Sequence, residues 1–121
     1  MAEGYAKTKG VPGLVLVTSG PGGGNIVTGL QNTYYDSCPL IALCGQVASN
    51  LIRPPKSRLR QLGFQETPIV EIVRPITKFA ALVQGPTHGM FCLETAIKEA
   101  KSGRPGPVVL DIPADVQRME I

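Results

Sequence analysis

Four short runs of valine, leucine and isoleucine punctuate the chain: "GLVLVT" at 13–18, "PLIALC" at 39–44, "TKFAALV" at 77–83 and "PVVLDIP" at 107–113. Each is bounded by glycine or proline, and none alternates apolar with polar residues. They are therefore predicted as strands buried on both faces. Segments of helical length separate them. The clearest is "PTHGMFCLETAIKEAKSG", 86–103, where Met90, Leu93, Ile97 and Ala100 share one face and predict a core stripe. Glu94 and Lys98 are spaced for an i,i+4 ion pair on the other face. Gly103 supplies a stop, and Pro105 and Pro107 bar continuation. Strands alternating with helices predict an α/β fold, a parallel sheet with helices on both faces. "MAEGYAK" reads as the end of a helix with no capping residue before it. A four-strand sheet that opens so abruptly reads as part of a larger unit.

Composition narrows the picture. A chain of 121 residues allows one domain, assigned here to 1–121. At 43% hydrophobic and 17% charged it has the balance of a globular protein that needs neither disulfide nor metal to fold. With no tryptophan and 5% aromatic residues, a base-stacking surface is not expected. The net charge of +3 comes with one local basic cluster, Arg53, Lys56, Arg58 and Arg60, read as a solvated loop and not as a nucleic-acid contact. No run approaches the roughly 20 apolar residues that cross a membrane, and no signal peptide is evident, so a cytoplasmic location is expected. Cys38, Cys44 and Cys92 lack metal-ligand spacing and read as small apolar core residues, and no metal site is expected. The lone His88, at a helix start, reads as a surface or capping residue.

The stretch that asks for a ligand is "TSGPGGGN", 18–25. A glycine-rich turn between strand and helix suits an anion at a helix N-terminus. Neither standard phosphate device fits, however. Gly24 is followed by Asn25 and Ile26 instead of Lys and Ser/Thr, and the G-x-G-x-x-G fingerprint has Asn25 where its third glycine belongs. A tight turn without ligand stays open. The reading taken is that Pro21 makes the turn rigid and Gly22 to Gly24 let another molecule lie against the backbone. Asn25 then caps the next helix and projects an amide, an arrangement for a flat heterocycle read by hydrogen bonds.

"GYAKTKGVPGLVLVTSGPGGGNIVTGLQNTYYDSCPLIALCGQV", "FQETPIVEIVRPITK" and "SGRPGPVVLDIPADVQ" resemble the N-terminal pyrimidine-binding domain of thiamine-diphosphate enzymes of the acetolactate synthase group. The likeness covers nearly the whole chain and implies that fold, in incomplete form. It implies that Pro21, Gly22 and Asn25 lie beside the aminopyrimidine ring of thiamine diphosphate, with Gln46 facing the same cleft. Phe64 and Gln65 match a segment near the substrate entrance. The spacing departs from the family there: sixteen residues separate "GQV" from "FQE" where the family has about nine. The excess forms a basic, proline-rich insert at about 48–63.

The resemblance also marks what is missing. The family's first strand, most of its first helix and its catalytic glutamate precede "GYA", the glutamate by roughly ten residues, whereas only two residues precede Glu3. No catalytic residue is therefore assigned. The "GDG…N" motif that holds the diphosphate through Mg²⁺ is absent as well. Three roles follow: a fragment of a carboligase or decarboxylase of 2-oxo acids, inactive alone; the pyrimidine subunit of a split enzyme with a diphosphate-domain partner; or a non-catalytic homo-oligomeric module. The family's pairing of these domains implies a homodimer or higher oligomer, and whether the chain is an enzyme stays open. Mg²⁺ and FAD belong to the full-length relative.

Overall fold

The computed structural model describes residues 1–120. Along the chain run α1 (Ala2–Lys9), β1 (Gly13–Val17), α2 (Pro21–Asn25), α3 (Val27–Tyr35), β2 (Leu40–Gln46), α4 (Ile69–Val73), β3 (Phe79–Leu82), α5 (Pro86–Lys101) and β4 (Pro107–Pro113). Three short 3₁₀ turns complete them, at Ser49–Leu51, Arg74–Ile76 and Val116–Arg118. All four predicted strands form, and they pair in parallel in the order β1-β2-β4-β3.

Handedness decides where the helices go. The steps β1 to β2 and β2 to β3 run in the same direction across the sheet, so right-handed crossovers put α2, α3 and α4 on one face. The step β3 to β4 runs backwards and sends α5 to the other. The two cores agree. On one face Leu30 of α3 and Ile69 and Val73 of α4 pack with Leu40, Ala42, Cys44 and Val109. On the other Cys92, Ala96 and Ala100 of α5 pack with Ile41, Val108 and Leu110.

Three expectations need correction. The stripe of α5 that enters the core is Cys92, Ala96 and Ala100, while Met90, Leu93 and Ile97 stay 46%, 38% and 45% exposed. Small side chains at i, i+4 and i+8 let the helix lie close to the sheet, and the larger ones project along its flank. Glu94 and Lys98 form no ion pair; among the described residues Lys7 alone does, with Glu3 and Asp36. Nor is every strand buried on both faces. β2 and β4 are, but Leu14 and Leu16 of the edge strand β1 are 64% and 78% exposed, because α5 does not reach across to cover them.

The other ends are held by specific bonds. Gly10, at φ 69, closes α1 by donating its N–H to the Ala6 carbonyl. Lys78 Nζ donates to the carbonyls of Glu99 and Ser102, neutralising the C-terminal end of α5. Within 48–63 the chain is looped, not disordered in pattern: the carboxylate of Glu66 accepts the backbone N–H groups of Arg53 and Leu62, both at 2.8 Å.

Candidate functional site

The glycine turn leaves the carboxyl end of β1. Gly20 takes φ 61 and ψ −114, a conformation closed to other residues, and Pro21 then opens α2 at its first turn. Helix therefore begins at Pro21, so the expected cap at Asn25 is corrected: Asn25 ends α2, and α3 starts behind Ile26 with no side-chain cap bond.

What approaches the glycines is mostly the chain itself. A Cβ on Gly20 would lie 2.7 Å from the Gln65 carbonyl oxygen and 2.8 Å from Gln65 Cβ. At Gly22 it would meet Thr18 Cγ2 at 3.0 Å, and at Gly23 the Ile69 side chain at 3.3 Å. Gly24 alone faces open space, with nothing within 4 Å. Three of the four glycines are thus explained by packing, and the surface left for another molecule is the rim of Pro21, Gly24 and Asn25, of which Pro21, Gly24 and Asn25 are all exposed. Gln65, at φ 64, is itself held in the left-handed region, a strain found where surrounding structure over-determines a residue. So the long insert does not carry "FQE" away; it returns Gln65 to the turn, with Phe64 beside it 84% exposed.

Gln46 has a different environment. It is buried, and its amide is consumed: Nε2 donates to the Thr67 carbonyl at 2.7 Å and to Asp111 Oδ2 at 2.9 Å, while Oε1 accepts the Val47 N–H at 2.9 Å. It clamps β2 to β4 and to the start of α4. Asp111 is the residue that sequence reasoning missed; its only signal was a carboxylate inside an apolar strand. Its Oδ1 has no partner, and burial pushes its carboxyl up to about 7 against the opposing Gln46 bond.

Outside the carboxyl ends of β1, β2 and β4 lies a crevice of 710 Å³, bordered by Thr18, Ser19, Gly45, Gln46, Val47 and Gln117. In open α/β sheets this is where ligands sit. Asn25 borders a separate hollow of 250 Å³ with Met1 and Ala2, so Asn25 and Gln46 do not share a cavity. The crevice offers backbone, hydroxyl and amide groups, and its one titratable side chain, Cys44, is kept a thiol by burial, which pushes it up to about 12. Among the described residues no group of three or more His, Cys, Asp or Glu is placed to hold a metal.

The thiols are not activated. His88 Nδ1 accepts the Gln84 N–H at 3.1 Å, which places the ring proton on Nε2, 3.3 Å from Cys92 Sγ. The ring therefore donates towards the sulfur and takes nothing from it. All three cysteines are free and buried, and burial raises each thiol, Cys44 to about 12.

A parallel sheet with a proline–glycine turn at the end of its edge strand defines the class. Residues 1–72 match the family described as thiamine pyrophosphate enzyme, N-terminal TPP binding domain, and the chain belongs to that family. Its relatives include acetolactate synthases. The chain is 46% identical over 117 residues to the chloroplastic acetolactate synthase of Arabidopsis thaliana, covering 97% of this chain and 16% of the relative. It is 45% identical over 116 residues to the mitochondrial acetolactate synthase catalytic subunit of Aspergillus candidus, covering 96% and 16%. With the acetolactate synthase large subunit of Buchnera aphidicola subsp. Acyrthosiphon pisum it shares 42% over 120 residues, 99% of this chain and 20% of that one. The chain thus spans about a sixth to a fifth of the length of these relatives. Among the described residues no helix is long and apolar enough to cross a membrane.

Proposed function

We propose that this chain forms the aminopyrimidine-side wall of a thiamine diphosphate site in an acetolactate synthase-like carboligase or decarboxylase of 2-oxo acids. The observation that carries the reading is the turn at 19–25, braced from behind by Gln65 and presenting an open rim. The fit is local. Pro21 and Gly24 offer a flat surface, and Asn25 an exposed amide able to pair with a ring nitrogen or amine. Gly22, whose spare room is filled by Thr18, supports the turn from within, and Gln46 shapes the crevice floor without a free donor of its own. Phe64, 84% exposed beside Gln65, would serve as an apolar contact for substrate.

Thiamine diphosphate, when bound, supplies the carbanion chemistry by which 2-oxo acids are decarboxylated and joined. The chain's own residues bind and orient; its crevice carries no cation for a diphosphate and, beyond the inert Cys44 thiol, no acid or base. Further polypeptide, as a continuation or as a separate diphosphate-domain chain, would bring the glutamate and the Mg²⁺ clamp, and FAD where the completed enzyme uses it. The three unpaired thiols favour a reducing compartment such as the cytoplasm.

The test is an assay with pyruvate, thiamine diphosphate and Mg²⁺, run on the chain alone and with separately expressed polypeptide that carries both the diphosphate domain and the catalytic glutamate. Turnover is expected only in the second case, and lowered roughly tenfold or more by Asn25→Ala. Turnover by the chain alone, or none in combination when the two chains form a stable complex, would overturn the proposal. A second reading, a non-catalytic homo-oligomeric module, is favoured by the uncovered leucines of β1.

A further inference from the structure

A second cavity, of 490 Å³, opens between α4, β3 and the 3₁₀ turn that begins the insert. None of residues 18–25 lines it, so it is separate from the glycine turn. Its volume lies within the range of small-molecule sites. Ile52, Val70 and Leu82 give it an apolar wall.

Three charged groups around that wall make no ion pair: Arg53, half-buried, and Arg74 and Glu71, both exposed. Arg53 and Arg74 both line the cavity, and neither guanidinium has a carboxylate within 4.0 Å, since Lys7 makes the only ion pairs among the described residues. Glu71 lines it and is likewise unpaired. Glu66 also lines it, but its two oxygens are engaged by the backbone N–H groups of Arg53 and Leu62. Asp111, 3% exposed, also lines it, and burial favours its uncharged form.

A plain anion would gain the two guanidinium groups but oppose Glu71. A plain cation would meet the reverse. A molecule with both charges and an apolar chain satisfies all of them at once. We propose that this cavity binds a small zwitterion with an apolar side chain, of the α-amino acid class. Its carboxylate faces Arg53 and Arg74, its ammonium faces Glu71, and its side chain lies on Ile52, Val70 and Leu82. Ile52 and Arg53 come from the segment in which this chain is longer than the family pattern, so the site belongs to the insert and not to the shared cofactor turn.

The test is two-dimensional ¹⁵N NMR of the full chain titrated separately with L-norleucine, hexanoate and hexylamine. These probes share an apolar chain and differ in charge. Norleucine is expected to give saturable shifts at the amides of Arg53, Val70, Glu71 and Asp111, leaving 22–25 unmoved. Hexanoate and hexylamine are expected to bind roughly tenfold or more weakly, each lacking one charged contact. Arg53→Gln and Glu71→Gln remove side chains that make no hydrogen bond within the fold, so both variants should keep the wild-type spectrum. Each should weaken norleucine roughly tenfold, while Arg53→Gln spares hexylamine and Glu71→Gln spares hexanoate. No saturable shift at these amides, or hexanoate or hexylamine binding as tightly as norleucine, overturns the proposal. So does unchanged norleucine affinity in both variants.

Discussion

At the scale of single residues, four glycines that look alike in sequence do different work. Gly20 combines φ 61 with a neighbour at 2.7 Å, so alanine there meets both backbone strain and the Gln65 carbonyl. Gly24 sits in α2 with open space where its Cβ would be, so alanine gains helix propensity and meets nothing. Gly20→Ala is expected to lower stability by roughly 2–4 kcal/mol, and Gly24→Ala to raise it by up to about 1 kcal/mol. Urea unfolding of the two variants beside wild type checks this; equal effects would contradict the assignment. The glycine turn itself was legible, because a tight strand-to-helix turn demands glycine and proline wherever it occurs. Its partner was not. Gln65 lies 45 residues beyond Gly20, and nothing local in "GFQET" announces a left-handed glutamine that packs on a glycine.

At the scale of elements, continuous apolar runs bounded by breakers were sufficient to mark every strand, since local sequence alone sets where extended chain starts and stops. The orientation of α5 was less accessible. Its larger apolar residues outline a plausible stripe, and the sheet instead selects Cys92, Ala96 and Ala100, because close approach is favoured over side-chain size. The same choice leaves Met90, Leu93 and Ile97 on the flank of α5, on the face of the sheet where Leu14 and Leu16 are uncovered. Met90 and Leu93 border a hollow with Leu43, the neighbour of Leu16 in the ladder, which joins the two sets into one apolar strip. Exposed apolar strips of this kind favour association. The chain is expected to sediment as a dimer or larger at micromolar concentration, and Leu16→Lys to shift it towards monomer. A wild-type monomer under those conditions would remove the support for the homo-oligomeric reading.

At the scale of the whole molecule, one buried carboxyl ties the two central strands to α4 and makes global stability depend on pH. Asp111 is reached from Gln46 across the β2–β4 ladder and, through the Gln46 amide, from Thr67 ahead of α4. No local pattern could have paired residues 65 apart in the chain; only the strand order does so. Burial lifts this carboxyl from 3.8 to about 7, so between those values the folded chain holds a proton that the unfolded chain releases. Stability must then fall as pH rises through that window and level off above it. The shift corresponds to roughly 4 kcal/mol at most. The other acids with moved values act below it: Glu3, Asp36 and Asp115 are held down by their lysine, asparagine and serine partners, and are ionised in both states above pH 5. Cys44 titrates far above it. Urea unfolding at pH 5 and pH 8 should therefore show the wild type less stable at pH 8 by a few kcal/mol, of order 2–4. Asp111→Asn cannot ionise and should lose that difference, whatever its own stability. A wild type equally stable or more stable at pH 8 would mean that Asp111 stays ionised in the fold, and that its second oxygen has found a donor.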